Sequence, residues 1–401
     1  MEQKISTWLK QQYPDMIARL LAWSEINSGT FNLAGLNRMV EVLEPAFAEL
    51  NAQSDHVDLP PYDVINDHGQ ITPQPLGKLL SWVKRPEAPI QILLCGHMDT
   101  VYDLNHPFQS CSYINDQTLN GPGVADMKGG VLVMLYALQA LEQFADVSQI
   151  GWRVMINPDE EIGSPGSANW MRKWAPDYHY ALVYEPSLTP EGFFAGQRKG
   201  SGNFSFVVHG LAAHVGRAFD QGKNAIVGLA HLTQALNALN QQREGVTINI
   251  GYCHGGGPVN IVPALAIAKL NVRTLCRQDE FWFYEQLECL LDTFQAEYGM
   301  QVDWYGQFGR PPKIMDEKQT AFYTLLAEVS KEMGLTAHWE ATGGCCDGNN
   351  FAAMGLPTID TLGVRGGAIH TDKEFIVLDS LIERAELTVR LLMKLSNMPQ
   401  K

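Results

Sequence analysis

Three consecutive carboxylates, Asp159, Glu160 and Glu161, follow the apolar run WRVMI in the stretch INPDEEIGSPGS. Similar groups recur elsewhere: His97 and Asp99 just past the apolar run of QILLCGHMDTV, Asp126 before a helix in GPGVADMKGG, Glu185 at the end of ALVYEP and His370 in the loop GVRGGAIHTDKEF. Two histidines with several carboxylates and no cysteine are a donor set suited to zinc or a neighbouring divalent transition metal, and one carboxylate could bridge two ions. Such a centre supports hydrolysis. Coordination lowers the pKa of water from 15.7 to about 7, ions about 3.5–4 Å apart can stabilise an oxyanion, and a nearby carboxylate can carry protons. Taken singly, each residue has a plainer reading: carboxylates at strand ends cap helices or face solvent, and one histidine is commonly a satisfied polar group. Asp159 and Glu160 would also favour the amino end of a helix beginning near Ser164. Five such residues at strand ends favour a metal centre, because ligands in open α/β sheets bind where the carboxyl ends of strands converge.

The elements that must position these groups follow from periodicity. Strands are predicted at IQILLCGHMDTV (90–101), WRVMINPD and YALVYEP, with a helix at MKGGVLVMLYALQALEQF (127–144). That alternation implies an α/β layer fold. From Gly200 the pattern becomes β-α-β-β-α-β: SGNFSFVVHG, NAIVGLAHLTQALNALNQQ, VTINIGYCH, AIAKLNVRTL, EFWFYEQLECLLDTFQAEYG and MQVDWYGQF. This is the ferredoxin-like split unit. The expected architecture is a larger α/β catalytic domain, 1–199 and 310–401, with an inserted α+β domain at 200–309. The final helix is expected at DSLIERAELTVRLLMKL.

Composition narrows the partners. A formal charge of -15 over 401 residues leaves no basic patch for phosphates, which argues against nucleic acid and anionic lipid. The first residues alternate charged and apolar side chains, no cleavable signal is visible, and no apolar segment is expected to span a bilayer. Seven scattered cysteines without a CxxC favour a reducing cytoplasm. The vicinal pair Cys345–Cys346 is either redox-sensitive or two inert small side chains.

In this order, GHMDTV, GPGVADMKGG, DEEIGSPGS, YEP, GLAAHVGRAFDQGKNAI and CDGNNFAAMGLPTIDTLGVRGGAIHTDKEF resemble the co-catalytic zinc family of glutamate carboxypeptidases, aminoacylases, acetylornithine deacetylases and succinyl-diaminopimelate desuccinylases. GHMDTV and CDGNNF look closest to the glutamate carboxypeptidase branch. The resemblance implies two divalent ions per chain, zinc foremost, with cobalt or manganese as alternatives. It implies that Asp126 bridges them, that His97 and Glu185 complete one site, and that Glu161 and His370 complete the other. It makes Glu160 the proton-transferring carboxylate and Asp99 the group orienting His97, a role ligating histidines generally require. It also implies a cis peptide between Asp126 and Met127, and leaves Asp159 without a role.

Within the inserted segment, His214 matches a histidine that in dimers reaches the partner's active site and helps stabilise an oxyanion, its plainer reading being a surface loop residue. Arg273 and Asn260 match positions that contact substrate in relatives, and an arginine fork suits a free carboxylate, although a sheet-edge salt bridge would also use it. Gly366 and Gly367 either let backbone approach substrate or make a turn. The resulting expectation is a hydrolase cleaving the amide of a peptidyl- or N-acyl-amino acid with a free α-carboxylate. Carboxypeptidase action comes first, deacylation second, and a homodimer through the inserted domain is implied. A catalytically silent, peptide- or metal-binding relative would have lost a ligand or the base, and all are present. A serine hydrolase, suggested by HGGG at 254–257, lacks a GxSxG elbow.

Overall fold

A computed structural model describes residues 1–397. Its central sheet runs in the order Gln53–Ser54, Lys78–Lys84, Ile150–Asn157, Ile90–His97, Tyr180–Val183, Thr358–Ile359, and Val57–Asp58 also pairs with Lys78–Lys84. The last four strands are mutually parallel, whereas Lys78–Lys84 is antiparallel to Ile150–Asn157. Strand Ile90–His97 is apolar without alternation because both of its faces are covered: Ile92 and Leu94 join the core containing helix Gly129–Phe144, while Leu93 and Cys95 join the core containing Met171 and Phe351. The α/β reading holds.

Strands and helices begin and end within a few residues of the expected positions, with one informative difference. The helix expected from residue 127 starts at Gly129, preceded by a wide turn over Val124–Lys128 in which Asp126 and Met127 leave helical angles and are joined by a cis peptide. The span Val124–Phe144 is apolar and long enough to cross a bilayer, contrary to expectation, yet 94% of its window lies buried inside the protein. Its all-round hydrophobicity is that of a core helix packed against a sheet.

Residues 200–310 build a separate four-stranded antiparallel sheet in the order Thr247–Gly255, Leu265–Thr274, Gly200–His209, Gln301–Arg310. Helices Ala225–Ala238 and Arg277–Tyr298 cover one face, where Phe204, Phe206, Leu232, Leu270, Phe283 and Leu287 make an independent core. The β-α-β-β-α-β reading therefore holds.

Candidate metal centre

The ligand-type side chains are delivered by strand ends and by the turns next to them. His97 closes the strand Ile90–His97, Glu160 and Glu161 lie on a short turn just after the strand Ile150–Asn157, and Glu185 follows Tyr180–Val183. Asp126 sits in the wide turn before the core helix. His370 lies in the connection between the short paired strands Gly366–Gly367 and Phe375–Val377, with a φ of 63°. All five groups converge.

Asp126 stands at the middle. Its Oδ1 lies 3.1 Å from His97 Nε2 and its Oδ2 lies 3.2 Å from His370 Nε2, so the two carboxylate oxygens face different histidines. Glu185 Oε2 is 3.9 Å from His97 Nε2, and Glu161 Oε2 is 3.3 Å from His370 Nε2. Ligand-type atoms of His97, Asp126 and Glu161, and separately those of His97, Glu160 and Glu185, lie within 4.8 Å of one another.

Two observations show that these residues fit cations. His97 Nδ1 faces the carbonyl of Asp99 at 2.9 Å, which can only accept, so Nδ1 carries a proton and Nε2, facing the Asp126 carboxylate, is the ring nitrogen left for a cation. Glu161 Oε1 and Glu185 Oε1 are buried with no hydrogen-bond partner among the described residues. Electrostatics agrees. Burial, reinforced by the Asp126 charge, pushes Glu185 up to about 8 and raises Glu161 as well. Burial works against a low value for Asp126, but hydrogen bonds from His370 and His97 hold it below the usual carboxylate range. Hydrogen bonds to Asp126 and Glu161 push His370 up to about 11, because protons here do the work that cations would do.

Asp99 orients more than the imidazole. Its carboxylate accepts from the backbone N–H groups of Glu160 and Glu161, each at 3.1 Å, and from Thr30 Oγ1 at 2.7 Å, while Oδ1 is 3.4 Å from His97 Nδ1. The two-glutamate turn is thus hung from the same group that sits beside His97. Asp159 has a role that composition did not reveal. Fully buried, it accepts from the N–H of Gly166 at 2.7 Å, from the N–H of Ser167 at 3.1 Å and from the Ser167 hydroxyl, pinning the loop behind the turn. The expected helix near Ser164 begins later, at Ala168.

Three further residues join the centre. Arg310 Nη2 donates to Glu160 Oε1 and to the Glu160 carbonyl, both at 2.6 Å, and its Nε has no partner although the side chain is buried. Burial raises the Glu160 pKa strongly, and the Arg310 charge opposes that rise. Asp347 lies 3.5 Å from Arg310 and accepts from Asn157 at 2.7 Å and from Ser164. Glu374 accepts from the N–H groups of Ala125 at 2.8 Å and Asp126 at 3.0 Å, and so fixes the turn that presents the bridging carboxylate. Asp347 and Glu374 lie in DGNN and TDKEF, where a carboxylate beside small or polar neighbours was the only signal; nothing local marks Arg310.

The candidates of the inserted segment divide into two groups. Arg273 faces the catalytic side: its Nη1 donates to Cys345 Sγ at 2.9 Å and its Nε to Asn271 Oδ1 at 2.8 Å, and among the described residues it takes part in no salt bridge. Burial raises the Cys345 thiol, but the charges of Arg310 and then Arg273 hold it below its ordinary pKa. Cys346 is buried and caps the helix Asp347–Ala353. His214 and Asn260 lie together, exposed, on the far edge of the inserted unit: His214 bridges to Ile261, and the Val215 N–H donates to the Asn260 carbonyl at 3.1 Å. Among the described residues no hydrogen bond or ion pair joins either to the five ligand-type groups. Gly366 and Gly367 form a strand, not a turn, and a Cβ on Gly366 would meet the Phe375 carbonyl at 2.1 Å, so this glycine serves a close backbone approach to Phe375.

Comparison with known proteins gives the same answer. The chain is 28% identical over 314 residues to carboxypeptidase G2 of Pseudomonas sp. (strain RS-16), covering 76% of this chain and 74% of that protein. It is 26% identical over 320 residues to succinyl-diaminopimelate desuccinylase of Bordetella pertussis, covering 75% and 82%. The fold matches the crystal structure of a tripeptidase from Staphylococcus aureus with a TM-score of 0.75 at 21% identity, over 96% of this chain and 99% of that one. The family model described as peptidase family M20/M25/M40 matches residues 93–394. With its histidines and carboxylates gathered at the strand ends, this chain belongs to that peptidase family and is a metal-dependent hydrolase of amide bonds.

Proposed function

We propose that the protein is a zinc exopeptidase of the carboxypeptidase kind, cleaving the amide bond that precedes an amino acid with a free α-carboxylate. The observation that carries this reading is the division of Asp126 between His97 and His370, with Glu160 held beside them by Arg310. His97 and Glu185 on one side and Glu161 and His370 on the other, sharing Asp126, would hold two divalent cations, which supply Lewis acidity and lower the pKa of water to about 7. Glu160 takes the proton of the attacking water and delivers it to the departing amine nitrogen. Burial raises its proton affinity above that of a free carboxylate, in the direction that suits a base that must also return the proton. Asp99 holds the imidazole of His97 and the backbone of the Glu160–Glu161 turn in register, so the base stays aimed at the ligand cluster.

Arg273, reaching the catalytic side from the inserted sheet, receives the substrate carboxylate with its planar fork. His214 and Asn260, exposed on the far edge, complete the site of a second copy in a homodimer formed through residues 200–309. The imidazole and carboxylate donors support zinc, with cobalt or manganese as substitutes, and the free cysteines support a cytoplasmic location. N-acyl-amino-acid deacylation is the second reading, favoured by the similarity to the Bordetella desuccinylase. The test is amine release by zinc-reconstituted protein from peptidyl-glutamates, other dipeptides and N-acetyl amino acids. Glu160→Gln is expected to lower kcat by roughly 10²–10⁴ while two metals per chain remain bound. Loss of metal binding in that variant, or undiminished turnover, would remove Glu160 from the proposed role.

A further inference from the structure

The face of the inserted sheet that points away from its helices is patterned. Strand alternation sends Phe204, Leu270 and their neighbours into the core and leaves the other set outward. Register aligns that outward set into rows: Asn249, Asn271, Asn203 and Gln307 form one, and Tyr252, Lys269, Ser205 and Tyr305 form the next. A solvated sheet face has no need of four carboxamides side by side. Arg273 lies one step before the amide row on the strand Leu265–Thr274, and Asn271 accepts from its Nε at 2.8 Å.

The far end of this face is roofed by a hairpin of the catalytic unit, Tyr62–Ile65 paired with Ile71–Gln74. Lys269 Nζ donates to the Ile65 carbonyl at 2.7 Å, Tyr252 donates to Asp67 at 2.6 Å, and Ile65 packs with Val207 and Ile267. Between hairpin and sheet is a cavity of about 590 Å³, floored by Asn203, Asn249 and Asn271 and walled by Tyr62, Ile162 and Tyr305. Ile162 directly follows Glu161, so one wall of the cavity is the next residue after a ligand-type carboxylate.

We infer that this cavity is a substrate subsite, built for a peptide-sized segment with amide groups on a partly apolar frame, attached to the scissile amide. The inference rests on the amide-hydrolase reading above and extends it to the size of the substrate. The volume falls in the range of small-molecule pockets, roughly 300–1,000 Å³, and far exceeds what an acetyl group needs. Carboxamide side chains both donate and accept, and so pair with peptide N–H and C=O groups that would otherwise lose water without replacement. Lys269 lies four residues from Arg273 on one strand face, about 13 Å at 3.3–3.4 Å per residue, so the floor spans several backbone units.

The experiment compares two elongated substrate series, one extended on the amino side of the scissile amide and one carrying a longer carboxy-terminal side chain, with an N-acetyl amino acid. Binding to the zinc-loaded Glu160→Gln protein is measured alongside kcat/KM of the active enzyme. One elongated series is expected to exceed the acetyl compound by at least tenfold in both readouts, and the series that gains identifies the side of the scissile bond. Ser205→Trp, which fills the cavity, should abolish that advantage and leave the acetyl compound within twofold of wild type. Asn203→Ala, a smaller change, should reduce the advantage if the filled variant does not fold. Equal binding of short and long compounds, or an advantage indifferent to both variants, overturns the subsite. Absence of turnover for every compound, with length-dependent binding intact, would instead overturn the hydrolase reading and leave the subsite standing.

Discussion

The carboxylate of Glu160 is under two opposed influences: burial drives its pKa up, and the guanidinium of Arg310, 2.6 Å away, pulls it back. A base must be ionised to accept a proton, so its pKa sets the acid limb of kcat/KM. Replacing Arg310 with Gln removes the positive charge and leaves burial unopposed, which raises the Glu160 pKa further. The acid limb of the Arg310→Gln profile is therefore expected to lie at higher pH than that of wild type, whatever happens to the plateau. A limb that stays put would show that Arg310 does not govern the ionisation of Glu160. His97 and Glu185 were legible in the sequence because each ends an apolar run, while Asp126 and His370, in a turn and a loop, were legible only through the order of the surrounding motifs. Arg310 was not, because its partner lies 150 residues away and they meet only when the last strand of the inserted sheet returns to the catalytic unit. The orienting work of Asp99 was legible for the imidazole but not for the backbone of Glu160 and Glu161, since nothing in GHMDTV points to a loop sixty residues on.

At the scale of elements, the helix Gly129–Phe144 and the strand Tyr180–Val183 approach so closely that a Cβ on Gly130 would meet the Tyr184 carbonyl at 2.0 Å. Tyr184 immediately precedes Glu185, so the same contact sets the position of a ligand. In an isolated helix, Gly→Ala would stabilise by about 1 kcal/mol. Here the added methyl must push the strand end outward, and overpacking of this kind costs about 1–3 kcal/mol. Gly130→Ala is thus expected to lower the thermal midpoint and to weaken the binding of one of the two metals more than the other, a split that calorimetric zinc titration would resolve. A variant with unchanged stability and two unchanged affinities would mean that the helix can shift at no cost. The sequence MKGG announces a helix start, but the reason for Gly130 lies at a strand end more than fifty residues further along the chain. Repeating β-α-β-β-α-β order, by contrast, was readable without any partner, because each element carries its own period and the sheet follows from their succession.

At the scale of the whole molecule, the folded chain concentrates acidic groups that it must keep from ionising together. Burial first, and then the charge of Asp126, places Glu185 at about 8 and Glu374 at about 7, and burial places Asp159 at about 7. Each lies above the unfolded value of about 4, so the folded chain holds protons that the unfolded chain has released. The sign follows from linkage: the stability these groups contribute is complete below about pH 4 and is lost as pH rises through their folded values of 7 to 8. His370, raised to about 11, adds in the same direction above about pH 6.5. Asp126 and Glu142, both held below the usual carboxylate range, have the opposite slope in acid, outside the window from 5 to 8, whereas Lys128, lowered by burial to about 7, and His56, also lowered by burial, oppose the trend inside it but are outnumbered. Metal-free protein is therefore expected to lose thermal stability steadily from pH 5 to pH 8. Divalent cations bind the ionised ligands and displace these protons, so the stabilisation they bring must grow over the same interval. Scanning calorimetry at several pH values, with chelator and with excess zinc, tests both slopes in one experiment. A chelated Tm that is flat or rising from pH 5 to 8, or a zinc increment that shrinks with rising pH, would contradict a centre in which protons stand in for metal ions.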